Sequence, residues 1–517
     1  MDLLQVRDFG KSGLNTDLPP WDLPPSFLTH AENYRVFSNK IFGFGGQFGL
    51  MDFPAGFDPY HVLYSPTPTD SFWIFAGNEI HVFDGNTFSR LDASLPSYDT
   101  SNNGWTSCRL GRVPVLNNSG YHPIYWIPQE ETQDMQVLPY DANGTWQDQQ
   151  WSCKAMRSFG PYLIAMNMKE GVDEYPDTLR WSHPAERNEV PISWNESDPA
   201  TLAGINTLGG DGGDIIDGLA LRNSFIVYRD DGITVLEYSN DSYVFNARNL
   251  TTEVHIANIN CIAEVKGTHF VIASNDILQV TGDKVQSILH DRARVRYSAV
   301  LNQNALDACF AVHNTTTKEF WACIPTGDSL VANQAWLYNY RDNTWTIHDI
   351  NDITHADYGR LEQASRLWNN WNETWATATG NWARQNNSAF NNTIMGPHVT
   401  PDPSSLQLLD GFTSETEFLT VLERTDYNLT TLQDVNTITR VYPHMKGTKP
   451  VKITVGSQDH AGGPVRWKPS ASFLPGVDRK IDVRTTGELF TFKIEVEHNS
   501  NFEFSGLDIE YVQDGVR

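Results

Sequence analysis

Ser71-Phe-Trp-Ile-Phe-Ala-Gly-Asn-Glu-Ile-His-Val-Phe-Asp84-Gly85-Asn-Thr-Phe-Ser-Arg90 reads as one apolar strand, a tight turn, a second strand and a polar connection. The theme returns at Phe270-Val-Ile-Ala-Ser-Asn-Asp-Ile-Leu-Gln-Val-Thr-Gly282-Asp283-Lys-Val-Gln-Ser-Ile288. It returns again at Gln334-Ala-Trp-Leu-Tyr-Asn-Tyr-Arg-Asp342-Asn343-Thr-Trp345-Thr-Ile-His348. Asp-Gly, Gly-Asp and Asp-Asn suit two-residue hairpin turns, whose central positions favour positive φ. The spacing is roughly 40 to 60 residues, the length of a four-stranded antiparallel blade. A β-sandwich would give shorter, more even spacing. An α/β chain would need amphipathic helices between strands, and almost none is found.

The expected fold is therefore all-β: a β-propeller of six blades, centred near residues 75, 120, 165, 230, 275 and 330, with a C-terminal β-sandwich-like module. Residues 1–51 carry Pro19-Pro20-Trp21-Asp-Leu-Pro24-Pro25 and read as an extended N-terminal arm, because paired prolines exclude a helix. Residues 52–352 hold the blades. Residues 353–404 break the theme and form a Trp-rich irregular loop. Residues 405–435 are read as propeller-closing strands, which remove an open edge. Residues 436–517 form the separate C-terminal β module, with strand patterns at Val451–Val455, Phe490–Val496 and Leu507–Tyr511.

At 517 residues the chain exceeds one ordinary core. It has 63 acidic against 37 basic residues, a net charge of −26. That balance excludes a conventional nucleic-acid gripping protein, which neutralises phosphates with Lys and Arg. It suits solubility, or a wall past which DNA slides without being held. The five cysteines, Cys108, Cys153, Cys261, Cys309 and Cys323, form no Cys-x-x-Cys pair and are expected as buried free thiols. The N-terminus is not a signal peptide, and no run approaches the roughly eighteen apolar residues of a membrane helix, so synthesis in a cytoplasm and no membrane insertion are expected. The sequons at Asn143, Asn249 and Asn428 then read as surface turns.

Catalytic motifs are missing. Gly209-Gly-Asp-Gly-Gly213 is glycine-rich, but Asp211 and Asp214 would repel phosphate and no Lys follows. The same run lacks the ligand order of a calcium loop. No Gly-x-Ser-x-Gly elbow or His-Glu-x-x-His pair occurs. No enzyme activity, cofactor or metal is expected. Trp368, Trp371, Trp375 and Trp382, with Trp21 in the arm, are the candidate interface residues, since Trp anchors interfaces. Stacking of sugars on the four loop tryptophans is the alternative use. Trp181, Trp194 and Trp345 are the candidates for packing between blades.

Three stretches share a likeness. They are Gly13-Leu-Asn through both Leu-Pro-Pro repeats to Asn33-Tyr-Arg-Val36, Arg180-Trp-Ser-His-Pro-Ala185 leading to Pro191-Ile-Ser-Trp194, and Val441-Tyr-Pro-His-Met-Lys-Gly-Thr-Lys-Pro-Val-Lys-Ile-Thr-Val-Gly456 onward. Together they resemble the propeller-type tail nozzle and hub proteins of short-tailed bacteriophages, the class that includes packaged-DNA stabilisation proteins. The resemblance covers most of the chain at pattern level. It implies a virion tail protein in a homo-hexameric ring below the portal and its adaptor, the head-to-tail connector. Such a ring continues the DNA channel, retains packaged DNA without reading its sequence, and docks fibres or spikes. The alternative expectation is a tail propeller that binds a receptor or glycan, in a trimer.

Overall fold

The computed structural model describes residues 2–37, 39–44, 46–67, 71–95, 104–128, 134–210, 212–239, 244–361, 392–399, 404–410, 418–497 and 502–516. Trp368, Trp371, Trp375, Trp382 and Asp211 lie outside them. Among the described residues the regular structure is almost all strand, with one α-helix, Arg294–Val300, and two short 3-10 turns.

Five four-stranded antiparallel sheets follow one another in chain order. Blade 1 is Pro59–Pro66, Ser71–Gly77, Ile80–Phe83 and Phe88–Arg90; blade 2 is Trp105–Leu110, Val113–Asn118, Ile124–Tyr125 and Gln136–Val137. Blade 3 is Trp151–Phe159, Tyr162–Glu170, Asp173–Trp181 and Gly204–Thr207; blade 4 is Ile215–Leu221, Ser224–Arg229, Gly232–Tyr238 and Phe245–Thr251. Blade 5 is Ile262–Glu264, His269–Ile272, Ile277–Val280 and Val285–Ser287. A larger sheet then holds two more such units. Blade 6 is Phe310–Asn314, Glu319–Ile324, Ala332–Asn339 and Thr344–Ile353. Blade 7 is Asp357–Arg360, Asn392–His398, Ser405–Leu408 and the N-terminal strand Phe48–Asp52. The two join only where Ile353 pairs with His398. The first strands of consecutive blades lie side by side all the way round, the seventh against the first. This is the arrangement of a β-propeller.

The four-stranded units number seven, one more than the six expected. The seventh is assembled from three separated pieces, so no single stretch of sequence repeats its theme. Its strands Asp357–Arg360 and Asn392–His398 fall in the segment read as an irregular loop. The ring is closed by the N-terminal strand, whose Asp52, Met51 and Phe48 pair with Ser405, Leu406 and Leu408. Phe53, Phe57, Phe75 and Phe88 pack at this seam, with ring centroids 5.1–5.6 Å apart around Phe53. The hairpin loops also differ from expectation. Phe83 pairs with Phe88, Val280 with Val285 and Asn339 with Thr344, so each loop has four residues. The reason is side-chain capping: Asp84 Oδ1 accepts hydrogen bonds from the Asn86 and Thr87 amides at 2.8 Å, and Asn339 Oδ1 accepts from Arg341 and Asp342.

Two further six-stranded sheets pack face to face. One has the order Ile481–Gly487, Asp434–Lys446, Glu503–Val516, Lys40–Gly43, Tyr34–Phe37, with Asp2–Val6 also on Glu503–Val516. The other has the order His30–Glu32, Thr420–Tyr427, Leu489–Val496, Val451–Gln458, Arg466–Trp467, with Ala471–Phe473 also on Val451–Gln458. Phe9 sits between them, edge-on to Phe492 at 6.1 Å and Phe504 at 5.9 Å. Residues 1–51 are thus no extended arm. Most of that segment is built into this sandwich, and its end is built into the propeller, because isolated N-terminal strands would leave unpaired backbone groups on both. The segment 405–435 is likewise divided: Ser405–Leu408 lies in blade 7, but Thr420–Tyr427 lies in the sandwich.

The sandwich meets the ring at blade 6 and the helix before it. Arg35 pairs with Glu319 of blade 6 at 3.1 Å and lies over the rings of Phe44 and Trp321. Asn33, at φ 57°, donates to Asp349 at 2.8 Å and accepts from the Asp349 amide. Glu32 pairs with Arg296 of the helix at 2.8 Å. Gly13 runs against Trp345 at φ +79°, where a Cβ would lie 2.6 Å from the Trp345 carbonyl oxygen.

Candidate functional site

Where the seven first strands converge, a cavity of about 470 Å³ opens, lined by residues of every blade or its leading turn. Those strands are mostly apolar, but each carries a polar residue near the axis, where seven backbones crowd together and no sheet partner is left. Arg157 of blade 3 is the hub. Its Nε and Nη2 donate to the two carboxylate oxygens of Asp217 in blade 4 at 2.9 and 2.6 Å. Nη1 donates to the Ser107 carbonyl of blade 2 at 2.7 Å, and Nη2 to Asn260 Oδ1, before blade 5, at 2.9 Å. Asp217 also accepts the amides of Gly218 and Asn260. Asn260 donates back to the Trp105 carbonyl at 2.8 Å and accepts the Ala311 amide of blade 6. The planar guanidinium matches the carboxylate fork, which suits Arg rather than Lys here. Burial alone would depress the Arg157 pKa; Asp217 outweighs it and holds it above the usual value.

Blades 1, 2 and 7 are joined by two histidines. His61 Nε2 lies 2.7 Å from Ser107 Oγ, and the His61 ring lies 4.0 Å from that of His355. The Val62 amide donates to His355 Nδ1 at 3.4 Å, which leaves the His355 proton on Nε2. The Tyr64 amide donates to Asp357 at 2.8 Å. Burial, then the His355 and Arg157 charges, holds the His61 pKa well below the usual range. Burial and Arg157 bring His355 to about 3. Burial pushes the Asp357 carboxyl up. The Ser107–His61 contact has the distance of a nucleophile–base pair, and burial weakens His61 as a base. Asp217, another carboxylate lining the axial cavity, is engaged by Arg157. The arrangement joins blades 1, 2 and 7 at the axis.

The tryptophans named from sequence lie elsewhere. Trp181 is buried, edge-on to Phe245 of blade 4 at 5.3 Å, with its Nε1 donating to the Leu202 carbonyl. Trp194 is buried, edge-on to Trp146 at 4.8 Å, in the core between blades 2 and 3. Trp345 donates to the Ile288 carbonyl at the end of blade 5 and stacks on Tyr338. Trp21, half-buried, lies beside the Gly462 turn of the sandwich in the same chain. The five cysteines are free and buried, and burial pushes the Cys108 thiol up to about 12. Among the described residues no group of three or more His, Cys, Asp or Glu could hold a metal ion, and no helix is long and apolar enough to cross a membrane. Sequence reading missed His61, Arg157, Asp217, Asn260 and His355. The available signal was a polar residue inside an otherwise apolar first strand, as in Ile215-Ile-Asp-Gly218.

No family model and no curated protein matches the chain. Among solved structures it is similar to one described as YCF48 bound to D1 peptide, at 11% identity over 57% of this chain and 86% of that one, with a TM-score of 0.30. It is also similar to BBS1N in complex with ARL6DN, at 12% identity over 72% and 98%, with a TM-score of 0.38. The strand pairing itself defines the propeller.

Proposed function

We propose that this chain is a structural subunit of a phage tail, a nozzle or hub protein that surrounds the DNA path, helps retain the packaged genome and offers docking surface for fibres or spikes. The supporting observation is mechanical. Both halves of the chain are stitched by the same N-terminal segment, which completes each sandwich sheet and then closes the propeller at Phe48–Asp52. With all seven blades also pinned at the axis, ring and sandwich resist being pulled apart. A channel wall under the pressure of packaged DNA needs that property, and a turnover enzyme does not. The resemblance of Arg180–Trp194 and the chain's two ends to nozzle and hub proteins supplies the class.

In this reading the DNA path lies between subunits, since the 470 Å³ axial cavity of a single propeller is occupied by the Arg157 network. Six copies below the adaptor would carry −156 (6 × −26) before counterions. Any part of that charge on the lumen lowers the affinity for passing phosphates. The test is a particle assembled without this chain. Heads that fill and then leak their genome support the reading. Heads that keep their genome but lose attachment to the host would favour receptor or glycan binding instead.

A further inference from the structure

The −26 charge is unevenly distributed. From Lys446 to Arg484 the chain carries eight basic and three acidic residues, a net +5 (8 − 3), leaving −31 (−26 − 5) on the remainder. This basic stretch occupies one place in the fold. In both sandwich sheets the edge strands toward the propeller are His30–Glu32 and Tyr34–Phe37, which contact blade 6. The opposite edges, four strands away, are Arg466–Trp467 with Ala471–Phe473, and Ile481–Gly487. They adjoin one another, with Arg466 donating to the Thr486 carbonyl at 3.1 Å. At about 4.8 Å per strand the basic edge stands roughly 19 Å beyond the propeller-facing one. Arg484 is exposed on one of these strands, Lys468 just beyond another, and Lys449 and Arg479 in the adjoining turns, Arg479 sharing a groove with Asp2, Asp508 and Glu510; none of the four has an ion-pair partner among the described residues. Trp467 and Val477 stand exposed beside them, Val477 at 69%.

The complementary surface lies across the ring. Counting from blade 6, three blades in one direction reach blade 2 and three in the other reach blade 3. At the outer rim between those two blades is a groove of about 880 Å³. Its lining is mixed, with apolar Ile127, Val190, Pro191 and Ile192 among polar side chains, and Ile192 is 63% exposed. Its charged lining is Asp141, Glu189 and Asp198, with no Lys or Arg. An exposed groove that mixes apolar side chains with one sign of charge suits a partner of the opposite charge.

We infer that the occupant of this groove is the basic sandwich edge of a second copy of the chain, so that copies join head to tail. The contact is heterologous: two different faces of one molecule meet, and such contacts close into a ring when the rotation between successive copies closes. The inference deepens the proposed function by naming the surfaces of its ring, and rests on the chain assembling with itself. Edge-strand lysines also discourage strand-to-strand aggregation, but that role requires no matching acidic groove.

The test is sedimentation velocity of the full chain with paired charge reversals. One variant carries Lys449→Glu, Lys468→Glu, Arg479→Glu and Arg484→Glu; the other carries Asp141→Lys, Glu189→Lys and Asp198→Lys. Six of the seven positions are exposed and Asp141 is half-buried, and a thermal melt checks that each variant folds. The wild type is expected to self-associate, and to do so about tenfold or more weakly when salt rises from 0.1 to 1 M. Each variant alone is expected to be monomeric, and an equimolar mixture of the two to associate again. A wild type monomeric up to about 100 μM, or association that survives either reversal, or a mixture that stays monomeric, overturns the inference. So does binding of duplex DNA by the wild-type monomer that is lost in the four-Glu variant, which would assign the edge to phosphate. A tail ring that forms normally from either variant removes this interface alone, while genome leakage from particles lacking the chain tests the function separately.

Discussion

Replacing Arg157 with Met strips the axial network of its hub while keeping most of the side-chain volume. Asp217 is 1% exposed and would keep its two amide donors, but it would lose both guanidinium bonds and its ion-pair partner. Removing one partner of a buried ion pair costs about 3–5 kcal/mol, because the other charge is left uncompensated. A unit of roughly 300 residues has an unfolding entropy near 0.6 kcal/mol/K, so the melting temperature should fall by about 5–8 °C. Asp217→Asn alone should also destabilise, by stranding the guanidinium. The double variant should recover, with a coupling of about 2–3 kcal/mol, since neither charge then remains. Differential scanning calorimetry of the four proteins at pH 7 measures the cycle. A drop under about 1.5 °C for Arg157→Met, or a double variant as unstable as the sum of the two, would refute the claim that this pair pins the blades.

The axial histidines give a pH signature. Folding holds His61 well below the usual histidine range and His355 at about 3, whereas the unfolded rings protonate near 6.5. Their contribution to stability is complete above about pH 6.5 and is lost as pH falls toward 3, at up to about 1.4 kcal/mol per pH unit for each ring. Denaturant midpoints between pH 7 and 5 should fall, and the slope should flatten in His355→Gln; equal slopes would count against it. Gly13→Ala should cost about 2–4 kcal/mol, because the position is left-handed and tight against Trp345, whereas Gly56→Ala, left-handed at φ +81° in open space, should cost about 1 kcal/mol. Equal denaturant midpoints for the two would show that the N-terminus is not latched onto blade 6. Phe53→Ala should cost about 3–5 kcal/mol and speed amide exchange in Phe48–Asp52 and Ser405–Leu408 ahead of blades 2 to 5. Uniform acceleration would place the weak point elsewhere than the closing seam.

The blades visible in sequence are those whose four strands run consecutively. The centres expected near 75, 120, 165, 230, 275 and 330 fall within blades 1 to 6 or their hairpins. Blade 7 could not be seen this way, since Phe48–Asp52 completes a sheet whose other strands lie more than 300 residues later. The prolines at 19, 20, 24 and 25 rule out a helix but not β pairing on either side, and so hide the strands Asp2–Val6, His30–Glu32 and Tyr34–Phe37. The axial site escaped for a related reason. Arg157, Asp217 and Asn260 are 43 to 103 residues apart and belong to no motif, and only ring closure brings them together. The basic sandwich edge was legible as composition, but its position far from blade 6 depends on strand order.

Cryo-electron microscopy of the intact particle tests the central claim most directly, through the position and rotational symmetry of this chain. The expected result is a six-fold ring on the tail axis beneath the adaptor, with the DNA path between subunits and each sandwich edge seated on the next propeller's rim. A peripheral trimer, or a single copy off the axis, would contradict it.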